Sequence, residues 1–143
     1  MALLSPTDQQ LLRDMFADMT RQVTVLFFSQ AIGCETCDET RRILDELTEL
    51  TDRIAVEEVN LVLDKERAGR YGIDRAPSLV LLADKEDTRI RFLGAPAGYD
   101  FMSLVDGILA VSGASDSALS ADSLALVSGV TTPTSIHVFV TPT

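Results

Sequence analysis

The stretch Ala31–Cys37, "AIGCETC", carries both cysteines of a 143-residue chain, and the segment that runs into it, Gln22–Gln30, "QVTVLFFSQ", is apolar and rich in β-branched and aromatic residues. A short run of that kind, with no polar alternation, predicts a strand buried on both faces. After Cys37, the residues Ile43, Leu44, Leu47 and Leu50 recur at three- and four-residue intervals. They predict a helix from about Cys34 to Leu50 whose first turn holds both thiols. The pair is therefore expected on a strand-to-helix turn.

Working outward, Ser5-Pro6-Thr7-Asp8 reads as a helix start, with Ser5 as N-cap and Pro6 at the first helical position. Leu11, Leu12, Met15, Phe16 and Met19 give that helix one apolar face. A second strand is expected from Arg53, "RIAVEEVNLV". A short helix follows from Asp64 and closes near Gly72. Pro77 precedes "SLVLL", and "TRIRFLG" from Thr88 follows a polar turn around Ala83 to Asp87, as an antiparallel pair would. "GYDFMSLVDGILAVSG" predicts a closing helix that buries Phe101, Leu104, Val105, Ile108 and Leu109. This order of helix, βαβ and then αββα implies an α/β sandwich around a central mixed sheet. Near Ser112 the composition turns to Ser, Ala, Asp and Gly, with a linker helix expected at about Ser117 to Val127.

Composition narrows the function. The formal charge of −10 lacks the basic stripe that phosphate binding needs, which argues against nucleic acid and against an anionic membrane surface. No segment has the length of a membrane span and the first residues do not read as a secretory signal, so the cytoplasm is the expected location. The chain holds one histidine, His137. Two cysteines and one distant histidine leave a structural zinc site incomplete, and no metal or resident cofactor is expected. A structural disulfide would close too small a loop to remove much unfolded-state entropy. Reversible thiol–disulfide chemistry suits the spacing: a helix start favours thiolate at the first cysteine, and the second can resolve a mixed disulfide. Two incidental small apolar residues at a helix start are the plain alternative.

The motifs "GCETC", "ELTELTDRI", "YGIDRAPSLVL", "FLGAPAGYDF" and the terminal "VFVTPT" together resemble the N-terminal half of the protein disulfide oxidoreductases, tandem glutaredoxin/thioredoxin-like proteins. The resemblance runs from Leu4 to the last residue. It implies a thioredoxin-like fold with an extra N-terminal helix over residues 1–111, a Ser/Ala-rich linker over 112–134, and in 135–143 the first strand of a second such unit. By the same resemblance Cys34 is the exposed nucleophile and Cys37 the resolving thiol. Arg75, Ala76 and Pro77 form the substrate-facing loop, with Pro77 after a cis peptide beside the thiols. Arg75 would contact a substrate carboxylate or form a surface ion pair.

The activity implied is disulfide exchange with protein dithiols and disulfides, with a thioredoxin-reductase-like flavoprotein as reductant. A dimer through the C-terminal strand is the assembly expected. Two other readings compete: a redox-weak scaffolding or docking domain for a catalytic second half, and an electron-delivery domain like that of the alkyl hydroperoxide reductase flavoprotein. This sequence departs from the family at Gly33, where thioredoxins place an aromatic residue, and in a Glu35-Thr36 spacer without proline. No carboxylate lies inside "VTVLFF". Glu35 and Asp38 beside the thiols oppose the helix dipole, so a slower unit with a less acidic Cys34 is expected.

Overall fold

Ser5 does open the first helix: its side chain accepts from the Asp8 amide, and α1 runs Pro6–Phe16. In the computed structural model, which describes residues 2–141, β1 (Val23–Ser29), α2 (Cys37–Thr48), β2 (Ile54–Asn60), α3 (Lys65–Tyr71), β3 (Ser78–Ala83), β4 (Glu86–Leu93), α4 (Asp100–Ser112) and α5 (Ala121–Ser128) follow in order. The strands form one mixed sheet in the order β2-β1-β3-β4. β1 pairs parallel with β2, Val23 against Ile54, and antiparallel with β3, Val23 against Ala83.

The near-continuous apolar run of β1 is explained by this placement, since a central strand packs side chains on both faces. Val23, Val25 and Phe27 join Leu12 and Phe16 of α1, Leu44 and Leu47 of α2, and Leu104, Val105 and Ile108 of α4 in one core cluster. Leu26 and Phe28 point the other way and pack with Val59, Val80 and Ala68 of α3. Helices α1, α2 and α4 thus cover one face, and α3 covers the other.

Three boundaries and one burial differ from expectation. α2 begins at Cys37, so only one thiol is helical. Cys34 stands ahead of the helix because Gly33 adopts φ +77°, a left-handed conformation that costs glycine little, and the Cys37 amide donates to the Cys34 carbonyl at 3.4 Å across a tight turn. β4 begins two residues before Thr88, because the hairpin needs only Asp84 and Lys85 at its tip. Both have positive φ, +48° and +70°, the twist that matches a two-residue hairpin. Phe101 is half-buried, unlike the rest of the α4 face. The linker helix begins at Ala121, where Ser120 caps it.

Beyond Ala114, which still packs on the core, the chain stops contributing to it. α5 buries none of its residues. Among the described residues, 131–141 carry no strand, and Ile136, Val138, Phe139 and Val140 are exposed. Pro142 and Thr143, the end of the expected 135–143 strand, lie outside the described residues. Phe139, Val140 and Thr141 line an open surface pocket with Tyr99, Asp100 and Ser103 at the start of α4.

Candidate functional site

β1 ends at Ser29, and four residues bring the chain round to Cys34. The Gln30 side-chain amide donates to the Ile32 carbonyl at 2.9 Å and braces the turn. Cys34 and Cys37 are joined in a disulfide with Cα atoms 5.4 Å apart. They differ in exposure. Cys34 is half-buried, whereas Cys37 is 4% exposed and belongs to the core cluster. The more exposed cysteine is thus the one just ahead of the helix, at the positive end of its dipole.

The loop before β3 stands at the same end of the sheet. The Ala76–Pro77 peptide is cis, as the family resemblance implied. Pro77 is buried, and its carbonyl accepts from the Gly94 amide at 2.9 Å. Ala76 and Cys34 both pack against the same core cluster. The Ser78 hydroxyl donates to the Arg75 carbonyl at 2.7 Å and fixes the bend. Neither the amide nor the carbonyl of Ala76 has a hydrogen-bond partner among the described residues. The Arg75 guanidinium points elsewhere, into an exposed pair with Asp74 at 2.8 Å, and that pairing holds the Asp74 carboxyl below its ordinary range. Exposed pairs of this kind contribute little to stability.

A polar network that no sequence motif marks runs from the first turn of α2 to β2 and the end of β1. Arg41, one turn after Cys37, donates to both carboxylate oxygens of Glu58 on β2 at 2.5 and 3.2 Å, and to Asp38 at 2.8 Å. Glu58 also accepts from the Ser29 hydroxyl at 2.5 Å. The Arg41 bonds hold the Glu58 carboxyl below its usual range against the opposing effect of burial, and the Ser29 bond adds to that. The signal for this network was the pair Glu57-Glu58 inside a strand. Successive side chains of a strand point to opposite faces, so each glutamate needs its own cation. Glu57 finds Arg67 of α3 at 2.6 Å, and Glu58 finds Arg41 of α2.

Among the described residues no cluster of three or more His, Cys, Asp or Glu is arranged to hold a metal ion. No helix among them is long and apolar enough to cross a membrane.

Comparison with known proteins supplies the wider setting. No protein-family model matches the chain. A thioredoxin of Bacillus subtilis is 31% identical over 87 residues, which are 60% of this chain and 79% of that one. An NADH dehydrogenase of Ferdinandcohnia aciditolerans is 38% identical over 89 residues, 62% of this chain, but the match spans only 15% of that relative's length. Among solved structures, the N-terminal domain of the alkyl hydroperoxide reductase AhpF from Enterococcus faecalis superposes with a TM-score of 0.75 at 31% identity, over 83% of this chain and 57% of that one. A protein disulfide oxidoreductase from Aeropyrum pernix shares the fold at the same TM-score, with 24% identity over 87% of this chain and 54% of that one.

Proposed function

Because the chain belongs to the thioredoxin family, we propose that it is a thiol–disulfide oxidoreductase unit in which Cys34 attacks and Cys37 resolves. The observation that carries this reading is the asymmetry of the bonded pair, with a half-buried cysteine ahead of the helix and a buried one inside it. In the reduced chain the Cys34 thiolate attacks one sulfur of a substrate disulfide and expels the other as a thiolate, which takes up a proton. Cys37, losing its proton, then attacks the Cys34 sulfur and releases the second substrate thiol. The substrate gains two electrons and two protons, and the chain returns to its disulfide form.

The substrate class we propose is protein disulfides presented on extended segments. The unpartnered Ala76 amide and carbonyl, at the same end of the sheet as Cys34, would pair with such a segment as one more strand. The glutaredoxin-like part of the reading rests on the sequence resemblance alone. A thioredoxin-reductase-like flavoprotein is the reductant that fits, in a cytoplasm kept reducing. The likeness to the AhpF domain and to the NADH dehydrogenase supports a second reading, an electron-delivery domain within a flavoprotein system. Limiting iodoacetamide on the reduced chain, read by peptide mass spectrometry, should mark Cys34 well before Cys37. Labelling of Cys37 first would reject the assignment. In parallel, the reduced chain should precipitate insulin B chain, and no turnover with any dithiol donor would favour a scaffolding role.

We also propose the domain division, with residues 135–143 as the opening strand of a second unit that, unpaired, would serve as a dimer contact. The exposed Ile136, Val138, Phe139 and Val140 support it, as does the match to little more than half of the AhpF structure. Trimming the chain after Ala114, which still packs on the core, should then change stability by less than about 1 kcal/mol in a denaturant titration. A loss of several kcal/mol would place the tail within this domain.

A further inference from the structure

The guanidinium of Arg41 stands where three elements of the site meet. A helical side chain leans back over the turn before its own Cα, and for Arg41 that is the turn of Cys37 and Asp38. Its partners come from α2 itself, Asp38 at 2.8 Å, and from β2, Glu58 at 2.5 Å. Glu58 in turn holds Ser29, the last residue of β1 before the thiol turn. The guanidinium carbon also lies 5.7 Å from the ring centroid of Phe27, a buried member of the cluster that contains Cys37.

The charges on the elements that meet at the pair are unbalanced. Glu35, Asp38 and Glu39 lie in the thiol turn and the first turn of α2, and Glu58 lies on β2. Asp74 is paired with Arg75 in the loop before Pro77, Asp100 starts α4, and β1 carries no charged residue. Arg41 and Arg42 are the cations of this part of α2, and Arg41 is the one bonded to both Asp38 and Glu58. Resting on the reading of Cys34 as the attacking thiol, we propose that Arg41 is a positioning residue for the dithiol. It fixes the first turn of α2 to the ends of β1 and β2, and it offsets the two carboxylates that would otherwise raise the proton affinity of Cys34.

This assignment has a signature that loosened packing cannot imitate. Arg41→Gln removes a positive charge and leaves two carboxylates uncompensated, so the Cys34 pKa should rise. Glu58→Gln keeps a hydrogen-bonding side chain, removes a negative charge and leaves Arg41 positive, so the pKa should fall. The network is partly open to water, and each shift should be about half a pH unit, or about a threefold change in alkylation rate below the pKa. Arg41→Lys, which retains the charge without the two-pronged bond, should lie between wild type and Arg41→Gln.

The test is the pH dependence of iodoacetamide labelling of Cys34 in the reduced chain and its three variants, with thermal melts as a check on folding. Opposite shifts for Arg41→Gln and Glu58→Gln support the proposal. Shifts of the same sign, or none in either folded variant, overturn it. The labelling needs no turnover, so opposite shifts in a chain that fails to reduce insulin would count against the oxidoreductase reading and for the role of Arg41.

Discussion

Replacing Cys34 with serine should lower insulin reduction by at least roughly a hundredfold, because the remaining thiol, Cys37, is buried in the core and cannot reach an incoming disulfide. Cys37→Ser should behave differently. The attack still occurs but nothing resolves it, so the chain should accumulate as a mixed disulfide with its substrate, visible as a higher-mass band on non-reducing gels that dithiothreitol collapses. Equal activity losses without a trapped adduct in Cys37→Ser would contradict the division of labour. Retention of activity in Cys34→Ser would remove Cys34 from the mechanism altogether.

The second large effect concerns the extra helix. Phe16 is 1% exposed at the end of α1 and packs into the same cluster as Leu44, Leu47 and Leu104. Phe16→Ala should cost about 3–5 kcal/mol, through lost burial and the cavity left behind. For a domain of this size that is a fall in melting temperature of roughly 10–20 °C. Leu11, on the same helix but 58% exposed, is the control: Leu11→Ala should cost less than about 0.5 kcal/mol. The N-terminal segment is also tied to α2, since the amides of Leu3 and Leu4 donate to the Glu46 carboxylate. α1 is therefore a structural part of the domain that carries the thiols, and a small effect of Phe16→Ala would show it to be an appendage.

What the sequence made legible was decided by local signals. Ser5 and Pro6 marked the start of α1, the unbroken apolar run marked β1 as central, and Gly72 closed α3 in the left-handed conformation expected of it. The start of α2 was harder to read. The spacing of Ile43, Leu44 and Leu47 shows which face must be buried but not where the first turn begins. That is set by the Gly33 turn and by the Cys37 amide, which turns back to the Cys34 carbonyl. β4 was clipped because the polar residues Glu86 and Asp87 read as part of the turn, whereas the hairpin needs only Asp84 and Lys85 at its tip, and the irregularity opposite Leu81, with Arg89 at φ +64°, is announced by no glycine. The Arg41 and Glu58 pair, seventeen residues apart on different elements, follows no period, so only the folded sheet brings it together.

The division of the core has a consequence for how this molecule can change. Cys37 belongs to the cluster beneath α1, α2 and α4, while α3 closes a separate cluster on the opposite face, from which both thiols are absent. Substitutions at positions without shared partners combine nearly additively. Residues such as Val59, Ala68 and Val80 can therefore drift, or be redesigned for thermal resistance, with little effect on the turn that carries the two cysteines. Changes at Leu44 or Phe27 shift both properties at once. The sheet separates a lineage's freedom to adapt its durability from its freedom to adapt its reactivity.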